Sequence, residues 1–189
     1  MNKTKNLIFN SAVRVFSIKG YDGATMDEIA MSAGVAKGTL YYHFKSKEEI
    51  FKYIMDEGMR LTQDEIDTSL ENEDNSIGKL RAMFKGILIL VHRNRDFFKV
   101  VASQLWGREI RQFELRDIMK KYMCDIEMYI KDAMDEGIIK KGNSRLIAYS
   151  LIGTFCSSAI YEISVGQEDI KDTVECVMDC ILDGLKIRL

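Results

Sequence analysis

The chain has 189 residues, of which 47% are hydrophobic and 30% are charged, a balance typical of a globular protein with a substantial core. Proline is absent, which favours long helices over a loop-rich β-sandwich. The net charge of −2 excludes a polybasic tail as the main device for binding nucleic acid. No signal-peptide pattern opens the chain, and its longest uncharged stretch, residues 146–161, is shorter than a membrane span. We therefore expect a cytoplasmic protein that does not bind a membrane.

Apolar side chains recur with a period near 3.6 along almost the whole chain, which predicts an all-α fold of about nine helices. The first helix begins near Lys3 and ends at Gly20, and the second is capped by Thr25 and Glu28. The remaining helices are predicted over residues 35–44, 46–70, 76–92, 94–108, 113–136, 144–165 and 168–186.

Residues 25–44 have the pattern of a helix-turn-helix, in which a helix of two turns and a second short helix are joined at Gly34. The predicted core of this motif comprises Ile29, Ala30, Ala33, Val35, Leu40 and Phe44. The side chains left on the second helix are hydrogen-bond donors, namely Lys37, Thr39, Tyr41, Tyr42 and His43. No carboxylate lies between Glu28 and Glu48, as expected for a surface that faces DNA phosphates.

The same pattern also occurs in helical proteins that never contact DNA, and paired tyrosines are often packing residues. The charge distribution favours DNA binding, since residues 1–50 contain seven Lys and Arg against five Asp and Glu, whereas acids predominate in the remainder. An all-α enzyme and a ligand carrier remain as alternative functions.

A longer pattern surrounds this motif. It comprises Phe16, Gly20, Tyr21, residues 25–30 (TMDEIA) and residues 33–50 (AGVAKGTLYYHFKSKEEI). Over residues 5–52 the chain resembles the DNA-binding domain of TetR-family transcriptional regulators. The resemblance implies an all-helical dimer, with a helix-turn-helix DNA-binding domain at residues 1–47 and an effector-binding and dimerisation domain at residues 48–189. It also implies a ligand-responsive regulator, most commonly a repressor, with activation and corepression left open.

Carried over by position, the resemblance implies nine DNA contacts. The residues expected in the major groove are Lys37, Gly38 and Tyr42. The residues expected at phosphates are Thr25, Met26, Thr39, Tyr41, His43 and Lys47. Among these, Lys37 has a base preference, for the O6 and N7 atoms of guanine.

Two recognition helices about 34–36 Å apart would match a palindromic operator. We predict a homodimer through the last two helices, because the helix over residues 144–165 is apolar nearly all round and the last helix has an apolar stripe. That stripe comprises Ile170, Val174, Val177, Ile181 and Leu185. In the alternative, the helix over residues 144–165 is simply the centre of a monomer.

Aromatic and methionine side chains of the middle helices suggest an adaptable apolar site for a hydrophobic effector, although such residues are more often ordinary core. The candidates are Phe84, Phe97, Phe98, Leu105, Trp106, Met119, Tyr122, Met123, Ile126 and Phe155.

A further pattern comprises Gln104-Leu105, Arg108-Glu109, residues 114–116 (ELR), Tyr122 and Glu136-Gly137. In this pattern the segment resembles the TetR-family regulators of fatty-acid degradation, and the resemblance implies a long-chain acyl-CoA thioester as effector. Five arginines would then serve the phosphates of an acyl-CoA, or would simply form a solvated charged face. They are Arg93, Arg95, Arg108, Arg111 and Arg116.

No catalytic residues, metal or cofactor are predicted. The two histidines, His43 and His92, are too few for an ordinary zinc site, and neither a phosphate-binding glycine loop nor a nucleophile elbow is present. The four cysteines, Cys124, Cys156, Cys176 and Cys180, are interpreted as reduced core thiols, with a redox role for the last two as the alternative.

Overall fold

The structure, a computed structural model, describes residues 3–104, 110–165 and 169–185, without the side chains of residues 104–119 and 182–185. Within these ranges the predicted all-α fold is confirmed. Its helices are α1 (Lys3–Gly23), α2 (Met26–Ala33), α3 (Lys37–His43), α4 (Lys47–Leu70), α5 (Ser76–Arg93), α6 (Arg95–Gln104), α7 (Ile110–Asp135), α8 (Ser144–Ser164) and α9 (Ile170–Leu185).

The chain forms two compact units. The first comprises Met1–Leu61 and Asn94–Arg116, and the second comprises Thr62–Arg93 and Asp117–Leu189. The first unit extends beyond residues 1–47, because α6 packs against α1 and the ring of Phe97 lies directly on Gly58 of α4. The first half of α4 and all of α6 therefore belong with the helix-turn-helix.

In the first unit, α1 packs against α2 and α6, and its aromatic rings meet Phe51 at the start of α4. The buried residues of this core include Ile8, Ala12, Phe16, Ile29, Leu40, Phe44, Ile50, Phe51 and Ile54. The rings of Phe16, Tyr21 and Phe51 meet with centroids 5.1 to 5.9 Å apart. Gly20 interrupts α1 with φ +71° and ψ +168°, a conformation that is essentially restricted to glycine, at the predicted end of the helix.

In the second unit, one apolar cluster joins α5, α7, α8 and α9 with the end of α4. The rings of Phe84 and Phe155 stack at its centre, 4.2 Å apart and nearly parallel. A buried carboxylate lies beside this cluster, since the side chain of Glu162 is 1% exposed and its Oε1 lies 2.7 Å from Nδ1 of His92.

The apolar stripe of α9 packs against the core of its own chain. Val174 is buried in the cluster of the second unit, and Ile170, Val177 and Ile181 pack against it. In the single chain the stripe therefore covers the core of the second unit, and a contact of its half-buried residues with a second subunit stays a prediction. Leu185 lies within α9, but its side chain is outside the described residues.

The cysteines are also more exposed than predicted. Cys124, Cys176 and Cys180 are exposed in this chain and Cys156 is half-buried, so the interpretation as core thiols is wrong. On α9 the reason is register, since Cys176 and Cys180 lie on the face opposite Val174 and Met178.

Candidate nucleic-acid interface

The N-terminus of α2 is held by the predicted capping box. The Thr25 hydroxyl accepts a hydrogen bond from the Glu28 amide at 3.3 Å, and the Glu28 carboxylate accepts one from the Thr25 amide at 3.0 Å. Glu28 also pairs with Lys19 of α1, and this ammonium together with the Thr25 bonds lowers the pKa of the Glu28 carboxyl. Thr25 remains exposed and Met26 is half-buried beside it.

A glycine makes the turn between α2 and α3. Gly34 has φ +63° and ψ +30°, and its amide donates to the Met31 carbonyl at 3.2 Å. The next amide, of Val35, donates to the Ala30 carbonyl at 3.1 Å. These bonds satisfy the free carbonyls at the end of α2, and Ala36 is extended so that α3 begins at Lys37.

The short helix α3 separates its core residues from its predicted DNA contacts. Leu40 is fully buried and Phe44 is 2% exposed, whereas Tyr42 is 78% exposed. Lys37, Gly38, Thr39 and Tyr41 are likewise exposed, and His43 is half-buried with its ring 5.2 Å from that of Tyr42. Four of the five predicted donors are therefore exposed and His43 is half-buried, and together they form the outward surface of α3 around the buried Leu40 and Phe44.

One acid reaches this surface, although the sequence between Glu28 and Glu48 contains none. Nζ of Lys37 lies 2.7 Å from Oδ1 and 2.9 Å from Oδ2 of Asp27, which is in the first turn of α2. The Asp27 carboxylate raises the pKa of the Lys37 ammonium. Sequence reasoning missed Asp27 because it is ten residues away from Lys37 and only the turn brings the two together.

Lys47 makes contacts other than the expected phosphate contact. Its ammonium donates to the carbonyls of Tyr21 at 2.6 Å and of Ala24 at 2.9 Å, and it lies 4.4 Å from the centre of the Tyr21 ring. Lys47 therefore fastens the start of α4 to the connection between α1 and α2. A phosphate contact from this side chain requires an exchange of these bonds and stays a prediction.

The N-terminus of α4 is capped by a variant of the capping box. The Ser46 hydroxyl accepts a hydrogen bond from the Glu49 amide at 3.2 Å. The Glu49 carboxylate accepts from the Lys45 amide at 2.7 Å, one residue before its usual partner in a capping box. The Lys45 ammonium donates to the Tyr41 carbonyl at 3.0 Å, so it satisfies the end of α3.

The predicted effector residues are divided between the two units. Phe84, Tyr122, Met123, Ile126 and Phe155 belong to the apolar cluster of the second unit or pack against it. Phe97 and Phe98 lie in α6 of the first unit, with their rings 5.2 Å apart. Leu105 and Trp106 lie outside the described residues, as does the side chain of Met119.

The structure describes the side chains of two of the five arginines proposed to bind phosphates. Arg93 pairs with Glu65 at 3.4 Å, and Arg95 is half-buried. Arg108 and the side chains of Arg111 and Arg116 lie outside the described residues. Among the residues whose positions are described, no group of three or more His, Cys, Asp or Glu side chains could hold a metal ion.

The phenol of Tyr122 has the most strongly shifted pKa among the described groups of the second unit. Burial, reinforced by the nearby carboxylates of Asp67 and Asp125, raises the pKa of its phenol to about 12. Those carboxylates lie on α4 and α7. Lys121 of α7 donates to Gln63 of α4 at 2.8 Å, and Gln63 in turn donates to Asp67 on its own helix at 2.6 Å.

Because the pKa of Tyr122 is raised in the folded protein, the unfolded chain releases this proton first, near pH 10. The stabilising effect is complete below pH 10 and is lost as the pH rises towards 12. We expect wild type to lose about 2 kcal/mol more of its free energy of unfolding over this range than Tyr122→Phe. Urea unfolding at stepped pH measures the difference, with Tyr42→Phe as the exposed control. Parallel pH profiles for wild type and Tyr122→Phe would contradict the assignment.

Comparison with known proteins agrees with the geometry of the first unit. Residues 8–54 match the family model of bacterial regulatory proteins, tetR family. A solved structure from Clostridium perfringens, described as a candidate fatty acid metabolism regulator, is 42% identical over 96% of this chain and 100% of its own, with a TM-score of 0.83.

Two further proteins are similar in part or in fold. The negative transcriptional regulator of the icaADBC biofilm operon in Staphylococcus epidermidis is 37% identical over 102 residues, and the match spans 54% of that protein. The regulator FadR from Bacillus subtilis, solved in complex with stearoyl-CoA, has a TM-score of 0.79 over 95% of this chain and 98% of its own, at 22% identity.

The helix-turn-helix, the whole-length similarity at 42% identity and the family match agree with one another. The Staphylococcus epidermidis and Bacillus subtilis proteins are both named as transcriptional regulators. The chain belongs to the tetR family of bacterial regulatory proteins.

Proposed function

We propose that this protein is a repressor that binds a palindromic operator as a homodimer in the cytoplasm and is released by a hydrophobic effector, an acyl-CoA. The observation that carries the DNA-binding part is the outward surface of α3. Its exposed donors lie above the buried Leu40 and Phe44, so the helix is held rigidly while its polar side chains stay available. Tyr42 and Lys37 are the proposed groove contacts, and Thr39, Tyr41 and His43 are the proposed phosphate contacts.

The outward face of α8 supports the dimer. Leu146, Tyr149 and Ile160 are 64%, 60% and 58% exposed, and they follow a helical spacing that continues through Gly153, beside which there is open space. The opposite face, with Leu151 and Phe155, is buried in the second unit. A helix with one apolar face buried and another exposed is suited to packing against a second subunit.

The composition of α8 also meets the length and hydropathy criteria for a membrane span, over Ser144–Ser164. The contacts of α8 favour a dimer interface over a membrane span. Glu162 is buried on its inner face against His92 of α5, which ties the helix into the second unit. On α9, the exposed Cys176 and Cys180 share the open face with the exposed carboxylates of Asp172 and Asp179, while the predicted stripe packs inwards.

The effector proposal draws on the relatives. One is described as a candidate regulator of fatty acid metabolism, and another was solved with stearoyl-CoA. The apolar cluster around Phe84, Tyr122 and Phe155 is the part of this chain that we propose opens to the acyl chain. The candidate partners for the phosphates of coenzyme A, taken from the sequence alone, are Arg93, Arg95, Arg108, Arg111 and Arg116.

Titration with two ligands tests the effector. Palmitoyl-CoA is expected to bind in calorimetry and to weaken DNA binding by about 5- to 150-fold, the usual range of coupling between two sites, whereas free palmitate lacks the phosphates and should bind more weakly. The DNA is a duplex enriched from a random library by the wild-type protein, measured by fluorescence anisotropy. Binding of neither ligand would contradict the effector proposal, and tighter DNA binding with palmitoyl-CoA would identify corepression in place of release.

A further inference from the structure

The ion pair of Asp27 and Lys37 joins the first turns of α2 and α3. Both oxygens of the Asp27 carboxylate lie within 2.9 Å of the Lys37 ammonium, and the two side chains are 64% and 61% exposed. The lysine with the clearest base preference on α3 is therefore already occupied in the free protein, by an acid on the surface that we propose faces DNA.

An exposed ion pair of this kind is weak. Pairs of this type change an equilibrium constant by up to about fivefold, so a better partner for the ammonium opens it readily. A DNA phosphate competes for Lys37, but it also brings a second negative group close to Asp27. Opening the pair on a phosphate therefore leaves a carboxylate without compensation.

A G·C base pair is a different partner. Its major-groove edge presents two acceptors on guanine, O6 and N7, and a donor on cytosine, the N4 amino group. An ammonium and a carboxylate that lie side by side are the hydrogen-bonding complement of that edge. Lys37 can donate to guanine while Asp27 accepts from cytosine, so neither charge is left alone.

We propose that Asp27 is a specificity-determining residue, which with Lys37 favours a G·C pair in the operator and keeps the lysine from binding phosphates elsewhere. This inference rests on the proposed DNA-binding function. Asp27 then weakens the binding of random DNA and strengthens the binding of one base pair in each half-site.

The test compares full-length wild type, Asp27→Asn, Lys37→Met and the double variant on two duplexes, one enriched from a random library and one of the same composition in scrambled order. Binding is measured by anisotropy at several salt concentrations. Asp27→Asn is expected to bind the scrambled duplex about two- to fivefold more tightly per protomer. Its affinity should depend more steeply on salt, by about 0.9 in the log–log slope for each lysine released. The double variant should return to the wild-type slope, because the released lysine is gone.

The matched control is Asp56→Asn, which removes the same charge from an exposed position on α4 of the first unit. If Asp27→Asn and Asp56→Asn have equal effects on both duplexes, general charge explains the result and the inference is wrong. Retention of the full preference for G·C by Asp27→Asn, measured by substituting each base pair of the enriched duplex, would also overturn it. A wild-type protein that enriches no duplex contradicts the proposed function itself, which is a distinguishable outcome.

Discussion

Replacing Tyr42 with alanine is expected to weaken binding of the enriched duplex by about 30-fold or more, with little change in stability. A lost groove contact costs about 1–3 kcal/mol, and the dimer loses two of them. Because Tyr42 is 78% exposed, its removal leaves the core of the first unit intact and should change the free energy of unfolding by less than about 0.5 kcal/mol. Anisotropy measures the first quantity and urea unfolding the second.

Ile18→Ala is the matched control, since Ile18 is a 71% exposed apolar residue on α1 outside the helix-turn-helix. Lys47→Met differs from Tyr42→Ala in that it is expected to change stability as well as DNA binding. It removes hydrogen bonds to the carbonyls of Tyr21 and Ala24, so it should lower stability by about 1–3 kcal/mol as well as DNA affinity. Unchanged DNA affinity in Tyr42→Ala would remove this residue from the proposed interface.

Charged substitutions on the outward face of α8 are expected to have the largest effect on DNA binding. Tyr149→Glu combined with Ile160→Glu places two carboxylates at exposed apolar positions, where a second subunit would have to bury them. The dimer should dissociate, and the affinity for a palindromic duplex should fall by a factor of about 100 or more, because the two half-sites are no longer bound by one particle. Analytical ultracentrifugation and anisotropy give the two readouts.

A second variant guards against simple misfolding. Gly153→Leu adds a side chain where the single chain has open space, so it fits the fold but blocks close approach of another α8. Met128→Glu, at a 49% exposed position on α7, is the control for added charge. A variant that remains dimeric and binds DNA normally would rule out this face, and a wild-type protein that is monomeric at every concentration would rule out the dimer.

Features encoded within a few residues were predictable from the sequence. The capping box of Thr25 and Glu28 and the turn at Gly34 depend on atoms no more than five residues apart along the chain. The burial of Leu40 and Phe44 beneath an exposed Tyr42 likewise follows from helical period alone. For this reason the all-α fold was correctly predicted, whereas the DNA contacts of α3 stay a prediction.

Choices between two apolar surfaces were not predictable in this way. Periodicity shows that α9 has a stripe but does not say whether the stripe covers the core or a second subunit, and the structure places Val174 in the core. The same ambiguity explains why the burial of the cysteines was not predicted. A thiol within an apolar pattern is buried or exposed depending on which helix packs against that face.

What the sequence determined by itself is the set of helices, their caps, and the surface of α3 that carries the donors, because short-range hydrogen bonds and side-chain period decide these. Only the tertiary structure decided that Asp27 reaches Lys37, that Lys47 binds the carbonyls of Tyr21 and Ala24, and that Glu162 is buried against His92. Those partners are 10 to 70 residues apart, and a charged side chain pairs with whichever opposite group the packing of helices brings within reach.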